Sequence, residues 1–198
     1  MSLSKEILEE LYIRKKQSVA AISKELRCSE HKVNYWLGKF SIAKRSISDS
    51  VYLYHNPLGD PFLIRQPQTL EDAILFGLGV GLYWGEGTKS NKLCVRLGNT
   101  DPALIKRFVE FLIKVCGITK HKLRFGLQVF SDMSPRQALA FWQKELKMPK
   151  GQFFPKVVVT PARSLGTYRN KTKHGVLTVY YGNKKLQNIL CQMIENMK

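Results

Sequence analysis

The chain has 198 residues, 44% of them hydrophobic and 11% aromatic, enough apolar material for a sizeable core and too much for a disordered segment. Thirty-two Lys and Arg stand against 15 Asp and Glu, a formal net charge of +17, which suits a polyanionic partner such as nucleic acid or an anionic membrane surface. Four cysteines (Cys28, Cys94, Cys116, Cys191) without a CxxC pair, and four dispersed histidines, offer no zinc-ligand spacing; they read as free thiols in a reducing cytoplasm.

The N-terminal MSLSKEILEE is acidic and amphipathic, unlike a signal peptide. Ile7, Leu8, Leu11 and Tyr12 fall on one helical face. In the following SVAAISKELRCSEHKVNYWLGKF, Val19, Ile22 and Leu26 form one stripe and Val33, Trp36 and Leu37 another. Ser29 is placed to cap the second of these helices, and Arg27 stands where such a turn often has glycine. Residues 1–48 thus match a three-helix helix-turn-helix module, with Glu30, His31, Lys32, Asn34 and Tyr35 expected on the exposed side of its last helix. Ser29, His31, Lys32, Asn34 and Tyr35 are its candidate DNA contacts. Residues 49–69, with three prolines and no periodicity, read as a linker.

From Leu70 the pattern alternates between helix and strand. Helices are expected over Leu70–Gly85, Pro102–Val115, Pro135–Leu146 and Lys184–Met197; strands over Lys92–Gly98, Lys122–Phe130, Phe153–Thr160 and Gly175–Tyr181. Asp101-Pro102 and Ser134-Pro135 are cap-then-proline helix starts at similar spacing, a hint of internal duplication. The longest apolar run, near Ala73–Trp84, is about twelve residues, too short to span a bilayer, and the expectation is an intracellular, DNA-associated protein.

The strands share a design. Leu123, Phe125, Leu127 and Val129 lie on one face against Arg124 and Gln128. Leu93, Val95 and Leu97 oppose Arg96; Val157 and Val159 oppose Lys156 and Thr160; Leu177, Val179 and Tyr181 oppose Thr178 and Tyr180. This predicts an α+β domain (α/β by its alternation) whose roughly four-stranded sheet is packed by helices on one face. The other face would carry Arg96, Arg124, Gln128 and Lys156, with no acid, and face nucleic acid. Charge is concentrated toward the end of the chain: residues 118–198 hold 15 basic and 3 acidic side chains, a net of +12. Within them, the run Arg163–Gly175 supplies Arg163, Arg169, Lys171 and Lys173 as candidate phosphate contacts.

The stretch GLGVGLYWGEG (Gly77–Gly87) lacks the third glycine of GxGxxG and misplaces the lysine of GxxxxGK[ST], so neither nucleotide loop fits. Gly77, Gly81 and Gly85 recur every four residues and define a bare helical face that lets another backbone approach, with Glu86 just past its end. If that partner is a second copy, two Glu86 carboxylates converge, an arrangement suited to a divalent cation and phosphates.

Gly79-Val80-Gly81-Leu82-Tyr83-Trp84-Gly85-Glu86-Gly87 resembles the motif of the LAGLIDADG homing endonucleases, with Gly81 on the first glycine, Gly85 on the small residue, Glu86 on the metal-binding acid and Gly87 on the last glycine. Trp84 replaces the motif's first Asp, and Glu replaces its second. The likeness spans roughly residues 70–198. It implies motif helices packed at a dyad, saddle-shaped sheets in the DNA major groove, and Glu86 as catalytic and Mg2+-binding residue in site-specific phosphodiester hydrolysis. One motif is recognisable, so a second acid requires a homodimer or a degenerate second copy. Sporulation-type transcription regulators resemble the layout too, in the opposite order. Three outcomes therefore stay open at the level of sequence: a Mg2+-dependent endonuclease; a non-catalytic helix-turn-helix transcription regulator that uses a degenerate endonuclease fold without a cofactor; or an RNA-binding or RNA-processing factor, which suits the charge equally well but has no single-strand stacking motif to support it.

Overall fold

The computed structural model describes residues 2–90, 93–162 and 173–197. Among them are eight α-helices and one four-stranded mixed sheet. The chain divides into two compact units, Met1–Pro61 and Phe62–Lys198.

The first unit is helical. Helix α1 (Lys5–Leu8) runs into a π-helical turn over Glu9–Arg14, followed by α2 (Val19–Glu25), α3 (Glu30–Lys39) and α4 (Ile47–His55). Ser4, Ser18, Ser29 and Ser46 each accept an amide of the following first turn, at about 1 kcal/mol per cap. Leu8, Leu11, Tyr12, Ile22, Val33, Leu37 and Ile42 form its core. Ile7, expected on the buried face, is 45% exposed, while Leu3 before it and Leu8 after it pack into the core. Arg27, in the turn between α2 and α3, has φ 49°, the left-handed conformation that the missing glycine would have adopted without strain. Arg45 closes the unit. Its guanidinium donates to the carbonyls of Lys16 and Gln17 and sits 4.1 Å from the Tyr12 ring centroid, and its backbone N–H donates to Tyr12 Oη at 2.9 Å.

The expected linker, 49–69, is corrected in two places. Residues 47–55 are helical, although α4 buries none of them, which is why no apolar period marks it. Phe62 is buried in the core of the second unit, where the Leu63 and Arg65 amides donate to the Cys116 and Val115 carbonyls at 3.0 and 2.8 Å.

The second unit opens with α5 (Leu70–Glu86), started by a reciprocal capping box between Thr69 and Asp72. Strand β1 (Val95–Asn99), α6 (Pro102–Lys114), β2 (Arg124–Phe130), α7 (Pro135–Leu146), β3 (Val158–Thr160), β4 (Val176–Tyr181) and α8 (Lys184–Glu195) follow. Asp101 and Ser134 cap α6 and α7, each with proline in the first turn, and Asn183 caps α8. The sheet order is β1-β4-β2-β3, antiparallel except for the β2–β3 pair.

Alternation decides which face is buried. Val95, Leu97, Phe125, Leu127, Val129, Leu177, Val179 and Tyr181 enter one core with residues of α5, α6, α7 and α8. Their strand neighbours Arg96, Gly98, Arg124, Gly126, Gln128, Thr178 and Tyr180 are half-buried or exposed on the other face. Two strand expectations shrink. Leu93 lies before β1 and is 73% exposed. Strand β3 covers three residues, with Val158 and Val159 both over half exposed. The expected strand is interrupted: Phe153 bridges to Phe125 and the Phe154 amide donates to the Phe125 carbonyl, but Pro155 has no amide to continue the ladder, and β3 resumes as the edge strand of the sheet.

Gly79 fixes how α5 meets α6. A Cβ there would come within 2.7 Å of Phe111 Cβ and closer still to its ring, so only glycine allows this approach. The Phe111 ring stacks on Phe108 (6.0 Å between centroids), and Phe108 on Tyr83 (6.2 Å). Burial pushes the Tyr83 hydroxyl up to about 12, reinforced by the nearby Cys191 and Cys94 thiols.

Candidate nucleic-acid interface

The open sheet face is built in rows set by strand register. Arg96 pairs with Tyr180, and Tyr180 with Arg124, so two guanidinium groups flank one phenol across β1, β4 and β2. The next row is Gly98, Thr178 and Gly126; the third is Val176, Gln128 and Val158. None of the residues of the four strands is acidic.

The side chains on this face are partly pre-positioned. Arg96 Cζ lies 5.0 Å from the Tyr180 ring centroid, and one of its terminal nitrogens donates to Tyr180 Oη at 3.5 Å. Its Nε is buried without a hydrogen-bond partner. Arg124 Nη1 donates to the His121 and Leu123 carbonyls (2.7 and 2.9 Å), which orients an otherwise exposed guanidinium. Gln128 Nε2 donates to Thr160 Oγ1 at 2.9 Å and ties β2 to the edge strand. Lys156 and Lys173 are exposed. Arg163, Arg169 and Lys171 lie outside the described residues.

Two ion-paired acids of the unit stand on helices. Glu110 of α6 bridges Arg107 and Lys114, and Glu145 of α7 pairs with Lys106. Hydrogen bonding to Lys114, with Arg107 adding to it, holds the Glu110 carboxyl below the usual range.

Gly77, Gly81 and Gly85 are exposed, and a Cβ at any of them would meet nothing within 4 Å, so this chain leaves that face open. Leu70 (77%), Ile74 (59%), Leu78 (40%) and Trp84 (44%) are exposed beside them. At 100° per residue these positions fall within a stripe of about 120°, the width of a helix face that packs against a partner. Glu86 is exposed at the end of the stripe, where the chain turns into the sheet edge: Gly87 bridges to Leu97, and the Thr88 amide donates to the Arg96 carbonyl at 2.9 Å. Lys89 Nζ donates to the Trp84 carbonyl at 2.5 Å, placing a cation at the negative end of the helix. Among the described residues, no three His, Cys, Asp or Glu side chains group closely enough to hold a metal ion. No helix among them is long and apolar enough to cross a membrane.

In the first unit, Ser29 is spent as the α3 cap, accepting the Lys32 amide at 3.2 Å. His31 and Tyr35 are exposed; Lys32 and Asn34, expected on the same side, are half-buried, because they flank the buried Val33. Asn34 Nδ2 donates to the Glu30 carbonyl at 3.0 Å. Among the residues of the open sheet face that sequence reasoning missed are Gly126 and Phe154. The adjacent Phe153-Phe154 pair was the available signal, since neighbours on extended backbone face opposite ways. Comparison with family models, with curated proteins and with solved structures gave no match.

Proposed function

We propose that this protein binds double-stranded DNA through the open face of its sheet, in a site-specific manner, as a homodimer seated on the exposed stripe of α5. The observation that carries the reading is the acid-free set of strands with Arg96 and Arg124 in one uncovered row. A solvated sheet face ordinarily mixes both charge signs, whereas this one matches the phosphate backbone. Helices α2 and α3, with His31 and Tyr35 presented from α3, make a second DNA-contacting module of helix-turn-helix type in this reading.

Mg2+-dependent phosphodiester hydrolysis is the second reading, favoured by one observation. Glu86 sits at the C-terminal end of α5, where the helix dipole disfavours an anion by about 0.3–1 kcal/mol, beside a face built for close approach. One carboxylate is too few for the cation; the residues fit only as a pair, with a second copy bringing its own Glu86 across the open glycines. Bound there, the metal would polarise a phosphate oxygen and activate water. In the absence of such pairing the protein is a non-catalytic regulator of the helix-turn-helix type.

Selection on random duplex DNA, followed by titration at rising salt, tests the first reading. Affinity should fall steeply, with a log–log slope near −0.9 per neutralised phosphate. A salt-independent affinity, or no enrichment of any sequence, refutes site-specific binding through this face. Incubation of supercoiled plasmid carrying the selected site with Mg2+ tests the second: nicking by the wild type and none by Glu86→Gln is the expected pattern.

A further inference from the structure

Two aromatic rings stand on the basic face, and phosphate attraction alone gives them no role. Phe154 is 43% exposed, although Phe153 before it is buried against Phe125. The Phe154 amide donates to the Phe125 carbonyl at 2.8 Å, which anchors the residue to β2. Its ring meets Tyr180 edge-on, with 5.1 Å between centroids and 66° between planes. Tyr180 in turn lies against Gly126, where a Cβ would come within 3.0 Å of Tyr180 Cε2 and 3.4 Å of Phe154 Cδ2. A glycine in the middle of β2 thus clears the floor for both rings, at a cost to strand stability that only the arrangement above it explains. Arg96, 5.0 Å from the Tyr180 centroid, completes a line of guanidinium, phenol and phenyl across the sheet.

The line selects a ligand by its chemistry. Absence of acids on the strands, beside exposed Lys156, selects an anionic ligand. An exposed phenyl ring held rigid by a neighbouring ring selects a flat aromatic surface. A nucleic acid supplies both, but a paired duplex shows a protein only base edges and buries the base faces in its own stack. A base face is offered only where a nucleotide is unpaired.

We propose that Phe154, buttressed by Tyr180 over Gly126, is a stacking site for one unpaired base in the DNA that Arg96 and Arg124 hold by its phosphates. The site makes the protein selective for duplex DNA with a locally extruded nucleotide. It rests on the DNA-binding reading and adds to it the structure of the preferred substrate.

The test uses the full chain at low salt and two fluorescein-labelled duplexes of one arbitrary sequence. One is fully paired; the other carries a single unpaired 2-aminopurine. By anisotropy the wild type should bind the second about tenfold more tightly, within the range that stacking on one aromatic side chain provides, with the 2-aminopurine emission quenched. Phe154→Leu keeps an apolar side chain at an exposed position; it should abolish the preference and the quenching, so that the two duplexes bind with the same affinity. Arg96→Ala should weaken binding to both duplexes. Equal wild-type affinities, or undiminished quenching with Phe154→Leu, overturn the stacking site and leave duplex binding standing. No binding to either duplex overturns both.

Discussion

The same substitution on one helix should change stability in opposite directions. Alanine at Gly77 or Gly81 of α5 adds a methyl group to open space, so only the helix-propensity difference acts, and each variant should gain about 0.8–1 kcal/mol. Alanine at Gly79 makes the same propensity gain but drives its methyl into the Phe111 ring. That ring is 1% exposed and stacked on Phe108, itself stacked on Tyr83, so there is no void to take up the shift and α5 must move off α6. Overpacking of this kind costs about 1–3 kcal/mol, so Gly79→Ala should come out net destabilising. Urea unfolding at a protein concentration low enough for the monomer reads all three, with an unchanged m-value marking a true stability effect. Sedimentation of Gly81→Leu adds the second half: dimer mass should fall while the folded monomer keeps its stability. The distinction between a packed and an open glycine fails if Gly79→Ala stabilises as much as Gly81→Ala. It fails equally if the open-face alanines destabilise the monomer.

Two further outcomes follow from polar contacts. Arg45→Ala removes two charge-assisted hydrogen bonds to the Lys16 and Gln17 carbonyls and the contact with Tyr12, and should destabilise the first unit by about 2 kcal/mol. Hydrogen exchange should then quicken in α2 and α3 with the second unit unaffected; protection unchanged in α2 and α3 contradicts the clamp. Glu110 has a folded pKa below its unfolded value, so its contribution is complete above the unfolded pKa near ~4.3 and is lost as pH falls through the folded value. The urea midpoint of the wild type should therefore drop more between pH 6 and pH 3 than that of Glu110→Gln, and parallel curves would remove the Lys114–Glu110–Arg107 bridge from the account.

Much of the second unit was legible because its signals are local. Helix α7 occupies the expected Pro135–Leu146, since a serine cap, a proline and an apolar period all mark the same start. Leu123, Phe125, Leu127 and Val129 are all buried, as strand alternation requires. Helix α4 escaped because it buries nothing, and β3 shrank because an edge strand flanked by Pro155 and Pro161 obeys its neighbours more than its own pattern. The candidate site was legible only in composition. Arg96 and Arg124 become neighbours through β4, inserted between their strands from far down the chain, and no local pattern carries that register. The role of Gly126 needed the position of the Tyr180 ring above it.

The insertion of β4 also sets an order of events during synthesis. Strands β1 and β2 share no edge; each pairs with β4, and Val95 meets Tyr181. At 5–20 residues per second, β1 waits on the order of ten seconds after it is made before its partner exists. The first unit, with a core of its own within residues 1–61, can be complete by then. The second stays an incomplete sheet with unpaired edges until its last fifth has been translated, and that interval is when it is most exposed to aggregation or to capture by a chaperone.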